Sequence, residues 1–406
     1  MRILHTSDWH LGQHFIGRSR AAEHQAFLNW LVEQVSQLQI DAIIVAGDIF
    51  DTATPPSYAR ELYNQFIVQL QPTGCQLLLL AGNHDSVAVL SESKDLLACL
   101  NVQVIPSVMT DIAQQLCVLH NRQQQPAALV AAIPFIRARD VLQSQGGQSE
   151  RDKQLSLQQA IAAHYQQLYL QAEQYNQQHN LALPIVMTGH LTTLGVSRTE
   201  SVRDIYIGTL EAFAADQFPA ADYIALGHIH QAQQVKAATD IRYSGSPIAL
   251  SFDEAKQQKQ LWLIEFNGKQ KQVTSISIPC FQPLLSIKSD LVSLEKKLEL
   301  AIAELAEDER LWLEIVVTET DAYLTDLQQR VEQLCTDLPL ELLRLRRQRS
   351  ATTGLLSQQN QQSLAELTPA EVWQARLSQE QLTAEQEQQL TQLHQQVLAT
   401  VQQEAE

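Results

Sequence analysis

The sequence predicts an α/β fold, in which short buried strands alternate with helices and a smaller α+β module and a helical tail follow. Three observations predict it. Five short apolar runs are each followed by a cluster of polar residues, with a glycine within two residues of the run in four of the five. Helix-spaced stretches lie between the runs. Of 406 residues, 45% are hydrophobic and 18% charged, enough to bury the core of two or three domains.

The first run, Ile3-Leu4, leads to Ser7-Asp8-Trp9-His10. Ala42 to Ala46 leads to Gly47-Asp48-Ile49-Phe50-Asp51, and Leu77 to Leu80 leads to Gly82-Asn83-His84-Asp85. Ile185-Val186-Met187 leads to Gly189-His190, and Tyr223 to Leu226 leads to Gly227-His228-Ile229-His230. Runs of this length without alternation fit strands buried on both faces, with loops emerging at their carboxyl ends. Ligands of α/β sheets gather there. Ala21 to Gln37 and Ser57 to Leu70 have helical spacing, and the Gln-rich stretch between Arg137 and Asn180 reads as an inserted helix.

From about Phe281 the pattern becomes β-α-β-α-β. Strands are expected at Leu284–Ile287, Leu311–Val317 and Leu340–Leu345, with helices at Leu291–Leu305 and Leu324–Leu334. A Gln-rich linker, Gly354 to Gln362, precedes Thr368-Pro369-Ala370-Glu371, which combines an N-cap Thr, a first-turn Pro and a third-position Glu. The following helix carries Leu390, Leu393, Val397, Leu398 and Val401 on one face. That stripe must be covered, by its own domain or by a partner chain.

Charge and cysteine usage narrow the class. Lys plus Arg is 28 and Asp plus Glu 45, a net −17, which argues against a generic basic nucleic-acid binder. It does not exclude DNA, because charges are screened beyond roughly 8 Å at physiological salt and local clusters decide contact. Five scattered cysteines without a CxxC pair disfavour a disulfide framework or a structural zinc site. Without a signal-like N-terminus or a spanning apolar run, the chain is expected to be cytoplasmic.

The strand-end clusters together supply three carboxylates (Asp8, Asp48, Asp51), one amide (Asn83) and five imidazoles (His10, His84, His190, His228, His230). Oxygen and imidazole donors without thiolate suit Mn²⁺, Fe²⁺ or Zn²⁺ better than Ca²⁺. Each cluster alone would be weak, since an Asp-x-His or two solvated imidazoles occur by chance in many chains. The ordered set is specific. The remaining histidines (His5, His14, His24, His120, His164, His179, His394) read as structural or solvated.

In this order, Asp-x-His, Gly-Asp-x-x-Asp, Gly-Asn-His-Asp, Gly-His and Gly-His-x-His resemble the calcineurin-like metallophosphoesterase superfamily. The stretches His5 to Gly12, Gly47 to Asp51 and Tyr243-Ser244-Gly245-Ser246-Pro247 are similar to its bacterial nuclease subunits that work with an SbcC-type ATPase. The resemblance covers the whole chain. It implies a helix-flanked β-sandwich carrying the nuclease over 1–280 and a small capping domain over 281–350. Over 351–406 it implies a linker and C-terminal helices that bind the ATPase. It also implies two divalent metals, Mn²⁺ foremost, with Asp8, His10, Asp48 and His230 on one and Asp48, Asn83, His190 and His228 on the other. His84 would be the catalytic histidine, protonating the leaving sugar oxygen or stabilising the transition state, with Asp85 orienting its ring. Asp51 would orient a ligand or close the Asp48 loop.

The implied activity is ATP-dependent exonuclease action on double strands and endonuclease action on single strands and hairpins, in replication, recombination and repair, with a nucleoid-associated location. A homodimer within a heterotetramer is implied too, with Leu62, Phe66, Leu96 and Leu97 as candidate contacts or ordinary core residues. For DNA phosphates the candidates are Arg18 and Arg20, Arg137 and Arg139, Arg198 and Arg203, and the run Arg344, Arg346, Arg347 and Arg349. Each could equally be solvated or ion-paired. A phosphatase on the same fold is the nearest rival, but Thr52 stands where such enzymes carry a phosphate-gripping Arg, and Asp85 where they carry Glu. A non-catalytic DNA-end scaffold is the rival from another class, and it would have no need of His84 beside a full ligand set.

Overall fold

The structure is a computed structural model that describes residues 1–142, 150–202, 212–268, 270–303, 305–306, 309–318, 321–322, 324–348, 390 and 393. Two six-stranded sheets carry the site. In the first, the strands run edge to edge as Gln270–Ser277, Gln260–Asn267, Arg2–Thr6, Ala42–Ala46, Gln76–Leu80 and Val102–Ile105. The last four are parallel and the first two are an antiparallel extension. In the second, the order is Gln233–Val235, Ile241–Tyr243, Tyr223–Gly227, Ile185–His190, Pro126–Ala131 and Leu116–His120. Its four inner strands are parallel, with one antiparallel strand at each edge.

Strand alternation sorts the apolar residues into three layers. Ile3, Ala42, Ile44, Ala46, Leu78 and Leu80 meet Val130, Val186, Tyr223 and Ala225 between the sheets. Leu4, Ile43, Val45, Leu77 and Leu79 point the other way, onto Phe27, Leu31, Leu62 and Phe66 of helices Ala21–Gln37 and Ser57–Leu70. Met187, Ile224 and Leu226 of the second sheet pack on Leu157, Ile161, Tyr165 and Leu168 of the long helix Glu150–Gln178. The result is a helix–sheet–sheet–helix sandwich, as the resemblance implied. The Gln-rich insert is one of its layers.

Both helices of the first layer have the expected bounds. Ser57–Leu70 starts after an extended Pro56, whose fixed φ suits a helix entry, and stops before a 3₁₀ turn closed by Gly74 at φ 71°. Of the four candidate dimer contacts, Leu62, Phe66 and Leu97 belong to the core, while Leu96 is 67% exposed. Burial of each of those three is worth roughly 1.5–3 kcal/mol to this domain. Among the described residues no helix is long and apolar enough to cross a membrane.

The chain divides into two compact units. One comprises Met1–Ile287, Lys296–Ile315 and Cys335–Arg344, and the other Lys288–Glu295, Val316–Leu334 and the described residues from Leu345 onward. The expected β-α-β-α-β elements are present as strands Leu284–Ser289, Leu311–Val317 and Leu340–Arg347 and helices Leu291–Ile302 and Leu327–Cys335. Within the first unit, Trp312 stacks on Phe15 at 6.0 Å and Arg344 lies over Phe252 at 5.4 Å. Of the expected C-terminal helices only Leu390 and Leu393 lie among the described residues.

Two histidines outside the ligand set make a testable contribution to acid stability. His5 is fully buried against the Tyr223 hydroxyl (3.0 Å) and the Leu226 carbonyl (3.1 Å), and His24 is buried near the Arg20 charge. Burial pulls each ring down to about 3. Both are neutral when folded and take up a proton on unfolding below about pH 6.5, so acid favours the unfolded chain. Their contribution is complete above about pH 6.5 and is lost as the pH falls toward about 3, at ~1.4 kcal/mol per pH unit per ring. In urea titrations from pH 7 to 4.5, the unfolding free energy of His24→Leu should therefore fall less steeply than that of the parent by about that amount. Parallel pH dependences would refute it.

Candidate metal centre

All five polar clusters converge at the carboxyl ends of strands from both sheets. The first two loops are zipped together by Asp8 N–H to Gly47 O (2.9 Å) and His10 N–H to Asp48 O (3.0 Å). The backbone N–H of His228 crosses from the other sheet to both Asp8 oxygens, at 2.9 and 3.1 Å. Four ligand candidates sit at positive φ: Asp8 (53°), His10 (47°), Asp48 (51°) and His228 (91°). Such non-glycine conformations cost about 1–3 kcal/mol each and persist where surrounding contacts over-determine them. Here the strain aims successive side chains into one pocket.

Ligand atoms of Asp8, His10 and His230 lie within 4.8 Å of one another, as do those of Asp48, His190 and His228, while His10, Asp48 and His84 form a third such group linking the two. Asn83 joins the second set: its Oδ1 is 2.9 Å from His190 Nε2 and 3.2 Å from His228 Nδ1. Asp48 Oδ2 is 3.2 Å from His190 Nε2 and 3.6 Å from His10 Nε2. Asp8, His10, Asp48, His190, His228 and His230 are at most 3% exposed.

This donor set fits divalent cations on its own chemistry. His190 Nδ1 donates to the Ala46 carbonyl at 2.9 Å, which leaves Nε2 facing the oxygens of Asn83 and Asp48. Three acceptors that close require a cation among them, a proton or a metal ion. Among the described residues His10 Nε2 is buried without a hydrogen-bond partner, a costly arrangement that a bound cation relieves. The charge pattern agrees. Burial alone would raise the Asp48 carboxyl, but the charges of His190 and then His10 hold it well below the usual range. His190 is driven up to about 9 by Asp48 against the opposing effect of burial. Burial, reinforced by the nearby His190 charge, pushes His228 well down, so that it stays neutral.

The supporting residues change the expected roles. Asp51 Oδ1 lies 3.2 Å from His10 Nδ1 and fixes the orientation of that ring. His84 Nδ1 donates to the Asp51 carbonyl at 2.6 Å, and its backbone N–H donates to Asp48 Oδ1 at 2.9 Å. Asp85, expected to orient the His84 ring, instead accepts the backbone N–H groups of Gly82 (2.8 Å), Phe50 (2.9 Å) and Ile49 (3.1 Å). The correction has a simple cause. Asp85 sits one residue beyond His84 on a turn that points inward, where unpaired backbone donors of the Asp48 loop need an acceptor. Burial and the nearby Asp48 raise its carboxyl to about 6 despite those bonds.

The serine and tyrosine of Tyr243-Ser244-Gly245-Ser246-Pro247 also have work here. Ser244 Oγ is 2.7 Å from Ser7 Oγ, which in turn donates to Asp8 Oδ2 at 2.5 Å. Tyr243 accepts from Thr193 N–H (2.9 Å) and donates to Leu191 O (2.8 Å), fixing the chain just after His190. Sequence reasoning missed Ser201 and Glu254, which lie beside His230: Ser201 Oγ is 2.6 Å from His230 Nδ1, and Glu254 Oε1 is 3.5 Å from it. Neither belongs to a strand-end cluster, so local spacing carries no signal for them.

The arginine candidates separate. Arg20, expected as a DNA contact, is instead buried: it is 1% exposed, lies beside the stacked rings of Phe15 (5.1 Å to the centroid) and Trp312 (5.6 Å), and is bonded to Glu23 (2.5 Å) and the Ala249 carbonyl (2.8 Å). A cation so enclosed reaches no DNA phosphate. Arg18 stays exposed and pairs with Glu341. Alternation on strand Leu340–Arg347 sends Arg344 and Arg346 to one face and Arg347 to the other, and Arg344 pairs with Glu314 at 2.5 Å. Arg137 donates to the Asp85 carbonyl at 3.4 Å, and Arg139 lies 3.9 Å from Asp140. Arg203 and Arg349 lie outside the described residues.

Comparison with known proteins agrees with this geometry. Residues 1–232 match the calcineurin-like phosphoesterase family, and residues 280–381 match the type 5 capsule protein repressor C-terminal domain. The chain is 49% identical over 402 residues to the SbcD subunit of the SbcCD nuclease of Escherichia coli K12, covering 99% of this chain and 98% of that one. It is 32% identical to the Bacillus subtilis SbcD protein over 71% of this chain and 72% of that one. It is 35% identical to the Rhodobacter capsulatus SbcD protein over 66% of this chain and 67% of that one. With every predicted ligand gathered at one strand-end pocket and identity running through both matched regions, the chain belongs to the calcineurin-like phosphoesterases and, within them, to the SbcD family.

Proposed function

We propose that this chain is the nuclease subunit of a two-component complex and hydrolyses DNA phosphodiesters with two divalent metal ions, Mn²⁺ foremost, alongside an SbcC-type ATPase. The observation that carries the reading is the crowding of buried acceptors around Asp48, which divalent cations would relieve and in which one carboxylate lies within reach of two candidate ligand groups. Asp8, His10, Asp48 and His230 would hold one ion, and Asp48, Asn83, His190 and His228 the other. Bound there, the pair supplies Lewis acidity toward water and the phosphoryl oxygens.

The chain's own groups do the rest. Asp51 and the Ala46 carbonyl keep protons on Nδ1 of His10 and His190, so both present Nε2. The Asp51 carbonyl likewise holds His84 by Nδ1–H, and with the ring doubly protonated its Nε2–H would give a proton to a departing sugar oxygen, leaving the neutral Nδ1–H imidazole. Asp85 keeps the Asp48 turn closed.

The names of the relatives favour a nucleic-acid phosphodiester over a phosphomonoester, and the absence of an Arg after Asp51 supports that choice. DNA ends and hairpins are the proposed substrates, with Arg18, Arg344, Arg346 and Arg347 as candidate phosphate contacts. We read residues 1–280 as the catalytic part and 281–350 as the capping part. Residues 351–406 would be the ATPase-binding part, in a complex built on a homodimer.

With Mn²⁺ and the ATPase, hairpin-ended DNA should be cut and an aryl phosphomonoester left intact. His84→Ala should retain metal and lose about 10²–10⁴-fold in cleavage rate, the usual worth of a general acid. Turnover of the monoester alone would overturn the nuclease reading, and undiminished cleavage by His84→Ala would overturn the role of that histidine.

A further inference from the structure

Glu254 is fully buried in the turn Phe252–Glu254, and a carboxylate there is tolerable only if paired and hydrogen-bonded. Its two oxygens face different partners. Oε2 accepts from Lys259 Nζ (2.6 Å), Leu250 N–H (3.0 Å) and the Ser246 hydroxyl (3.3 Å). Oε1 accepts from the hydroxyls of Ser201, Thr199 (2.9 Å) and Ser251 (3.2 Å). Lys259 also donates to the His230 carbonyl at 3.1 Å, and Ser246 N–H reaches that carbonyl at 3.1 Å. The backbone of His230 is thus clamped by the same cluster that faces its ring.

Proton counting fixes the direction of the chain. An ionised carboxylate only accepts, so the single Ser201 proton goes to Glu254 Oε1. Thr199 Oγ1, 3.1 Å from Ser201 Oγ, has its own contact with the same oxygen and is not needed as an acceptor. Ser201 Oγ then accepts from the imidazole 2.6 Å away, which places the His230 proton on Nδ1. Nε2 is left with its lone pair, the form needed to join Asp8 and His10 around a cation. Without the hydroxyl, Nδ1 would face Glu254 Oε1 at 3.5 Å, too far for a good hydrogen bond.

We propose that Glu254, acting through Ser201, is a positioning relay that locks His230 in its metal-ligating tautomer. This makes the segment after His190 that carries Ser201 a structural part of the ion site built on Asp8, His10 and His230. The inference rests on the two-metal reading above. Outer partners of ligating histidines typically change metal affinity by about 10–100-fold.

The test is calorimetric titration of Mn²⁺ into the full-length chain, comparing the parent with Ser201→Ala, Ser201→Thr and Glu254→Gln. Metal-free melting curves serve as the folding control. Ser201→Ala should weaken one of two Mn²⁺ sites by about 10–100-fold while melting like the parent, and Ser201→Thr, which keeps the hydroxyl, should restore it. Glu254→Gln should weaken the same site. If Ser201→Ala binds both ions as the parent does, or Ser201→Thr is as weak as Ser201→Ala, the relay is wrong. A parent chain that binds fewer than two ions would instead overturn the two-metal reading beneath it.

Discussion

Asp48→Asn is expected to abolish DNA cleavage and reduce the number of bound Mn²⁺ ions while leaving the chain folded. Asn keeps the shape of the side chain and the acceptor that takes the His84 N–H, 2.9 Å from Oδ1 in the parent. It removes the charge that faces His190 at 3.2 Å and His10 at 3.6 Å. Each ligand group then loses its shared anion, and cation repulsion across the centre is no longer offset. Loss of one preorganised electrostatic group costs about 10²–10³-fold in rate, and a residue serving both groups should cost at least that. Single-turnover cleavage of hairpin DNA and Mn²⁺ stoichiometry measure it. A variant that cuts within tenfold of the parent would mean that Asp48 bridges nothing.

A methyl group added at Gly82 should be nearly as damaging. A Cβ there would lie 2.1 Å from Asp48 Oδ1 and 2.3 Å from the Asp48 backbone nitrogen. The second neighbour is main chain and is held by the turn that Asp85 closes. Something must shift, and what shifts is the shared carboxylate. Overpacking usually costs about 1–3 kcal/mol, and Gly82→Ala should reach or exceed the top of that range while losing Mn²⁺ binding. Gly74→Ala is the matched control. It has φ 71° but nothing within 4 Å of the added carbon, so it should cost about 1–2 kcal/mol in stability and leave Mn²⁺ affinity unchanged. Denaturant titration and calorimetry separate the two, and Mn²⁺ affinity preserved in Gly82→Ala would refute the packing argument.

The close approach at Gly82 also explains why a glycine precedes Asn83. Gly47 has the same reason more strongly, because its φ of 95° is joined by a would-be Cβ 2.2 Å from His190 Nδ1. Only a residue without a side chain lets the two sheets bring Asp48 and His190 together.

Local chemistry made much of this protein legible in its sequence. The apolar runs at Ala42–Ala46 and Tyr223–Gly227, the helix Ser57–Leu70 with its preceding prolines, and the strand-end placement of Asp8, Asp48, Asn83, His190 and His228 rest on contacts within a few residues. Periodicity and turn preference encode such contacts directly. The division of those strands between two sheets was not encoded there, because a continuous apolar run fits either sheet equally well. Nor was the burial of Arg20 beside Phe15 and Trp312, since a cation has the same letter on a surface and in a core. The exchange of tasks between Asp51 and Asp85 turned on which backbone donors the folded loops left open. Ser201 and Glu254 meet His230 across 29 and 24 residues of chain. The sequence by itself determined the strands, the turns and the identity of the side chains gathered at the candidate metal centre. The partners that hold those side chains in register were decided only when long-range packing placed distant segments within hydrogen-bonding distance.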